Sequence, residues 1–134
     1  MASMTDKQKF YSDVIILAVE GGIGYWSHVR SYNHGCSSNL DDDTEVGRKP
    51  ARAEVFDFED GNVEAPDAKW HKLDNKAIAK AFKSIMGKGE IAFAGERWRK
   101  RMVAAYWAND ANDLDSDDAD MVVQIALLGK VVYG

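Results

Sequence analysis

The chemistry-bearing residues of this chain fall into a few sets: three histidines, an Asp-rich turn, glycine motifs, a carboxylate beside aromatics, and a run of cations. His28, His34 and His71 have ligating side chains, but no His-x-x-x-His, Cys-x-x-Cys or His-Glu-x-x-His spacing occurs. Three separate loops would have to converge to hold an ion, so the histidines read as surface or edge-strand residues and no metal is expected. The six aspartates between Asp110 and Asp120 invite calcium. An EF-hand loop begun at Asp113 places Asp115 and Asp117 correctly. It then has Asp118 where the sharp turn needs glycine, and Gln124 where a bidentate glutamate belongs. The cluster reads instead as a solvated acidic turn that caps a helix, whose unpaired N–H groups and dipole favour negative charge.

Covalent and phosphate chemistry find less support. Gly-x-Ser-x-Gly is absent. Cys36 and His34 are too close in sequence for a nucleophile–base pair of the usual kind, in which the partners meet through the fold. Gly21-Gly22-x-Gly24 follows a helix, whereas a dinucleotide fingerprint needs strand, glycine turn and then helix. These glycines are expected to supply positive φ at a helix-to-strand turn. Met86-Gly87-Lys88-Gly89 lacks Walker spacing and reads as a helix end. No catalytic residue and no cofactor are assigned.

Two binding surfaces are possible. Glu20 with Tyr25, Trp26 and His28 has the make-up of a small-ligand pocket, a carboxylate against aromatic walls. Asp13 and Glu20 lie seven apart on one helix face, where a solvent-side role is the simpler reading. Among the cations, Arg97, Lys100 and Arg101 surround Trp98, while Lys76, Lys80 and Lys83 repeat at helical spacing on the element before. Side by side, such stripes would meet a phosphate backbone; a solvated helix face is the alternative. Four Trp and five Tyr are many for this length. Most belong in a core, and Tyr25 and Trp107 are the expected exposed pair, suited to anchoring a protein partner.

Composition frames these candidates. The chain has 134 residues and a net charge of −5, the size of one domain spanning residues 1–134. Charge is segregated: residues 41–67 hold ten acids and three bases, and residues 69–101 hold ten bases and three acids. A basic face on an acidic protein is therefore compatible with nucleic acid. Apolar runs such as Val14 to Val19 are far short of the roughly 20 residues of a membrane span. No secretory pattern opens the chain, and a single cysteine builds no disulfide framework, so a cytoplasmic location is expected.

The elements that must position these groups follow from periodicity. Thr5 and Gln8 have capping-box spacing, and Phe10, Val14, Leu17 and Ala18, widened by Tyr11, Ile15 and Val19, predict a central, well-buried helix ending at Gly21-Gly22. Alternation predicts a strand over 23–32, with a helix continuing through Trp26 as the alternative. Residues 33–50 read as a long loop. Strands follow over 51–58 and 69–73, forming an antiparallel meander with the first. Asp74 caps a helix with Ile78, Phe82, Ile85 and Met86 inward, and a further helix covers Glu96 to Trp107. A last helix follows Asp115 and stops at Gly129, and Val131-Val132-Tyr133 reads as a terminal strand. The expected fold is α+β: a small antiparallel sheet of three to four strands with about four helices packed on it.

Two segments carry a resemblance. Phe10-Tyr11-Ser12-Asp13-Val14 with Glu20-Gly21-Gly22-Ile23-Gly24-Tyr25-Trp26 is one. Asp118-Ala119-Asp120 with Val122-Val123-Gln124, then Gly129 and Val131-Val132-Tyr133-Gly134, is the other. Together they resemble a group of small uncharacterised proteins of actinobacteria and their bacteriophages. The resemblance covers about 40 residues near the two ends. It implies a bacterial host cytoplasm and a phage- or prophage-type accessory role, without naming an activity. The combined expectation is a non-enzymatic protein that binds a bacterial host protein or itself. Nucleic-acid association through the helix stripes, or a ligand site around Glu20, are the alternatives.

Overall fold

The computed structural model describes residues 4–35, 48–87 and 95–134. Within them the order is α1 (Asp6–Gly21), β1 (Ser27–Asn33), β2 (Arg52–Asp57), β3 (His71–Leu73), α2 (Asn75–Met86), α3 (Gly95–Ala108) and α4 (Ser116–Leu128), with a 3₁₀ turn at Phe58–Asp60. The fold is α+β. The strands form an antiparallel meander in the order β1-β2-β3. Val29 pairs with Val55, and Val55 with His71.

Local chemistry sets the helix starts. Thr5 and Gln8 form a reciprocal capping box on α1, and Asp74 accepts from the Ala77 amide at the start of α2. Asp115 and Asp118 form a second capping box on α4. Each satisfies amides that a helix start leaves unpaired, typically about 1 kcal/mol per cap. Gly129, at φ 86°, ends α4 in the left-handed region.

The central helix is α4 and not α1. It packs against α1 and α2 and reaches β3, and it buries Ala119, Val122, Val123 and Ile125 together with three polar residues, Asp118, Asp120 and Gln124. On α1, Phe10, Val14, Ile15 and Ala18 are buried, while Tyr11, Leu17 and Val19 lie only partly inside. The core joins these to Ile23, Trp26, Ala53, Val55, Leu73, Phe82 and Trp98. Met86, expected inside, is 38% exposed at the end of α2.

Three expectations about the backbone are corrected. The first strand begins at Ser27, because Ile23 to Trp26 close a turn: the Ile23 carbonyl accepts from the Trp26 amide and from Ser27 Oγ at 2.7 Å. Gly21 and Gly22 serve by size and not by positive φ. Gly22 has φ −118°, and a Cβ there would stand 2.6 Å from the Ser116 carbonyl oxygen. The turn therefore lets α1 approach the start of α4 closely. Finally, Val131-Val132-Tyr133 forms no strand. Gln124 takes the place of a neighbouring strand: its Oε1 accepts from the amides of Val132 and Tyr133 at 2.8 Å each, and its Nε2 donates to the Tyr133 carbonyl at 3.0 Å.

Candidate functional site

Buried polar groups gather at the N-terminal half of α4. Asp118 and Asp120 are 4% and 5% exposed, and each accepts from a tryptophan. Trp98 Nε1 donates to Asp118 at 3.0 Å, and Arg101 donates to the same carboxylate through both terminal nitrogens, the closer at 2.9 Å. Trp26 Nε1 donates to Asp120 at 2.7 Å, the Tyr25 hydroxyl at 2.6 Å and Gln124 Nε2 at 3.0 Å. Tyr133 stacks on Trp26 at 5.4 Å between centroids and donates through its hydroxyl to Asp57 at 2.7 Å. The Asp120–Gln124 pair thus ties the turn before β1 and the C-terminal segment to one helix, and Tyr133 links that segment to the end of β2.

This arrangement locks structure, its carboxylates accepting from tryptophan, tyrosine and glutamine donors. Burial, and then the hydrogen bond to Asp120, push the Tyr25 hydroxyl up to about 12. Its ring is 54% exposed, but its hydroxyl turns inward to the carboxylate. Burial and the Asp57 hydrogen bond push Tyr133 further up. Both phenols therefore stay protonated near neutral pH and act as donors. An open cleft of about 470 Å³ lies beside them, lined by Tyr25, Asp117, Asp120, Met121, Val131 and Tyr133 among others.

The expected ligand pocket does not assemble as drawn from the sequence. Tyr25 and Trp26 share Asp120, but Glu20 is exposed and accepts from the Tyr32 hydroxyl at 2.5 Å. His28 lies on the outer sheet face with its ring 4.6 Å from that of Phe58. The reason is the turn at 23–26, which sends Trp26 into the core and starts the strand alternation afresh at Ser27. Asp13, level with Glu20 on α1, pairs with Arg48 at 2.5 Å.

The histidines separate likewise. His34 meets the Tyr32 ring at 6.3 Å, and His71 stands 3.7 Å from Asp60. Among the described residues, no group of three or more His, Cys, Asp or Glu is placed to hold a metal ion. Cys36, Lys88 and Gly89 lie outside the described residues. The Asp-rich turn caps α4 as expected: Asp115 and Asp118 form its capping box and Asp110 accepts from the Asn112 amide, with Asp110, Asp113, Asp115 and Asp117 exposed and only Asp118 and Asp120 buried.

Of the basic stripes, Lys76, Lys80, Lys83, Arg97 and Lys100 are exposed on α2 and α3. Arg101 is exposed too, but its charge is matched by Asp118, with Asp115 and Asp113 close enough to favour its protonated form. Arg99 donates to the carbonyls of Ile85 and Gly87, holding the end of α2. The stripe is thus weaker than its residue count implies.

Trp107 is 71% exposed, the most exposed of the large apolar residues among those described. It rises from a fixed aromatic base. Its ring meets Tyr106 edge-on at 5.1 Å, and Tyr106 stacks on Phe82 at 5.5 Å. Lys7 Nζ sits 3.4 Å from the Tyr106 ring centroid and also donates to the Tyr106 carbonyl. A cleft of about 310 Å³ opens on the same helix, lined in part by Ala104, Ala105, Ala108 and Leu114.

The buried acids, Gln124 and the aromatic outer sheet face were not singled out from the sequence. For the first, a signal exists: Asp120 and Gln124 are spaced i, i+4 within an apolar helix, so one turn of its buried face is polar. For the sheet, Phe56, Phe58 and Trp70 converge only through strand register. No family profile, no curated protein and no solved structure matches the chain.

Proposed function

We propose that this protein acts by docking a protein partner, a bacterial host protein or a second copy of itself, with Trp107 as the anchor. The observation that supports this reading most is the 71% exposure of Trp107 on a rigid aromatic base. Tryptophan is enriched among interface residues that dominate binding, and it presents a large contact area with only two side-chain torsions to fix. Tyr25, half exposed at the far end of the chemistry described above, is a second contact. The acids and phenols that could have served catalysis are already engaged with one another, which favours binding over reaction. The resemblance of the two end segments to small actinobacterial and phage proteins favours a phage- or prophage-type accessory role in the bacterial cytoplasm.

The test compares the protein with a Trp107→Ala variant, immobilised in nuclease-treated bacterial lysate, and by sedimentation over a concentration series. The reading predicts a retained protein or a concentration-dependent dimer that the variant loses. Retention that survives the substitution, or that disappears on nuclease treatment in the parent, overturns it.

A further inference from the structure

The sheet has one face in the core and an opposite face whose outermost side chains reach solvent. Ala53, Val55 and Leu73 point to the helices and join the buried cluster. Strand alternation then puts Arg52, Glu54 and Phe56 on the opposite face of β2, with His28 and Arg30 paired beside them on β1 and Lys72 on β3. His28, Arg30, Arg52 and Lys72 are exposed. The aromatics there form a layer over Phe56, which is itself buried at 1% exposure. Phe58 is 43% exposed, His28 lies 4.6 Å from it, Phe56 is 5.5 Å from Trp70, and the Arg30 guanidinium lies 4.0 Å over the Trp70 ring.

Charge on this face runs against that of the chain. Among the described residues of the three strands, Arg30, Arg52 and Lys72 share this face with one carboxylate, Glu54, which Arg30 already engages at 3.3 Å, while the exposed Glu59 and Asp60 follow Phe58. Ser31 interrupts the alternation at φ 55°, where the register between β1 and β2 shifts. A left-handed serine costs on the order of 1–2 kcal/mol, and such strain collects at functional sites. The bulge helps shape an open cleft of about 290 Å³ lined by Ser31, Arg52, Ala53, Glu54 and Lys72. A concavity flanked by two cations suits a phosphate, and the adjoining rings suit the faces of unpaired bases. A duplex hides those base faces inside its stack, so an aromatic platform selects single strands.

We propose that the outer sheet face binds single-stranded nucleic acid, stacking bases on Phe58, His28 and the Arg30–Trp70 pair while Arg52 and Lys72 hold the backbone. This surface is distinct from the Trp107 corner, and it uses other residues than the lysines of α2.

The test is fluorescence anisotropy with a labelled single-stranded oligonucleotide of about 15 nucleotides, within the range one small β platform covers, titrated at low and raised salt. The proposal predicts binding that weakens steeply with salt and exceeds that of the matching duplex. Phe58→Ala should weaken it about 10-fold. Arg52→Glu with Lys72→Glu should weaken it further and flatten the salt dependence. Lys76→Glu with Lys80→Glu on α2 should change little. These are exposed or half-exposed positions, and circular dichroism confirms that each variant folds. The proposal is overturned by an absence of binding at low salt, by binding that both sheet variants leave intact, or by loss in the α2 variant alone. A polyglutamate chain that binds as tightly as the oligonucleotide also overturns it, since charge without stacking would then suffice.

Discussion

Two tryptophan–aspartate pairs stand at the start of α4, and they solve the burial of a carboxylate in different ways. Asp118 faces a cation: Arg101 reaches it at 2.9 Å from a half-exposed position while Trp98 donates from inside. Asp120 meets only neutral donors, Trp26, Tyr25 and Gln124. The first pair keeps one side in solvent, where water shares the work of stabilising charge. The second has no counter-charge among its hydrogen-bond partners, so it depends on every donor being in place. The difference teaches which part of the molecule is intolerant. The Asp120 centre holds three chain segments at once, whereas the Asp118 centre holds the end of one helix to its neighbour.

The largest effect should come from Asp120→Ala. It strands the buried Trp26 N–H and frees Gln124 and Tyr25, and a loss of about 3–5 kcal/mol is expected in urea unfolding. Asp120→Asn keeps one acceptor and should cost less, which separates lost shape from lost charge. Next is Gln124→Ala, expected to cost about 2–3 kcal/mol and to raise the hydrogen-exchange rates of the Val132 and Tyr133 amides toward those of a free chain. If those amides stay protected, the C-terminal segment is held by the stacking of Tyr133 on Trp26 and not by the amide clasp. Gly22→Ala follows, at about 1–3 kcal/mol, because the added carbon must push α1 away from Ser116.

How legible was this in the chain? The helix starts were, because Thr5, Asp74 and Asp115 act within four residues of themselves. The meander was, because hydrophobic alternation marks its strands within a few residues. The terminal strand was misread because its three residues have strand propensity, whereas their partner is a side chain, Gln124, one helix turn and a glycine away. Propensity reports what a segment would pair with in a sheet, and it is blind to an amide side chain that satisfies the same groups. The candidate pocket failed for a similar reason. Glu20 and His28 are near Trp26 in sequence, but the turn at 23–26 directs the three side chains to different faces. The Trp107 corner was foreseeable only as an excess of aromatics over what a core of this size absorbs.

Smaller effects distinguish the two pairs further. Arg101→Ala should lower stability only slightly, and the loss should shrink at high salt, because half of that side chain is in water. The Asp120 centre should respond to alkali instead. The Tyr25 hydroxyl is raised to about 12 in the folded protein from an ordinary value of 10. Its contribution is therefore complete below pH 10 and is lost as the pH climbs through 12. Tyr25→Phe should make the melting temperature fall less steeply across that interval. Some fall will remain, since Tyr11 and Tyr133 are raised as well.

A polar interior fixes the shape of the molecule, and the exposed indole is the proposed partner contact. The most direct measurement takes the Trp107→Ala variant and records its unfolding free energy beside its retention of partner or its self-association. The prediction is stability within about 0.5 kcal/mol of the parent and association lost. Association that persists at parental strength would contradict it.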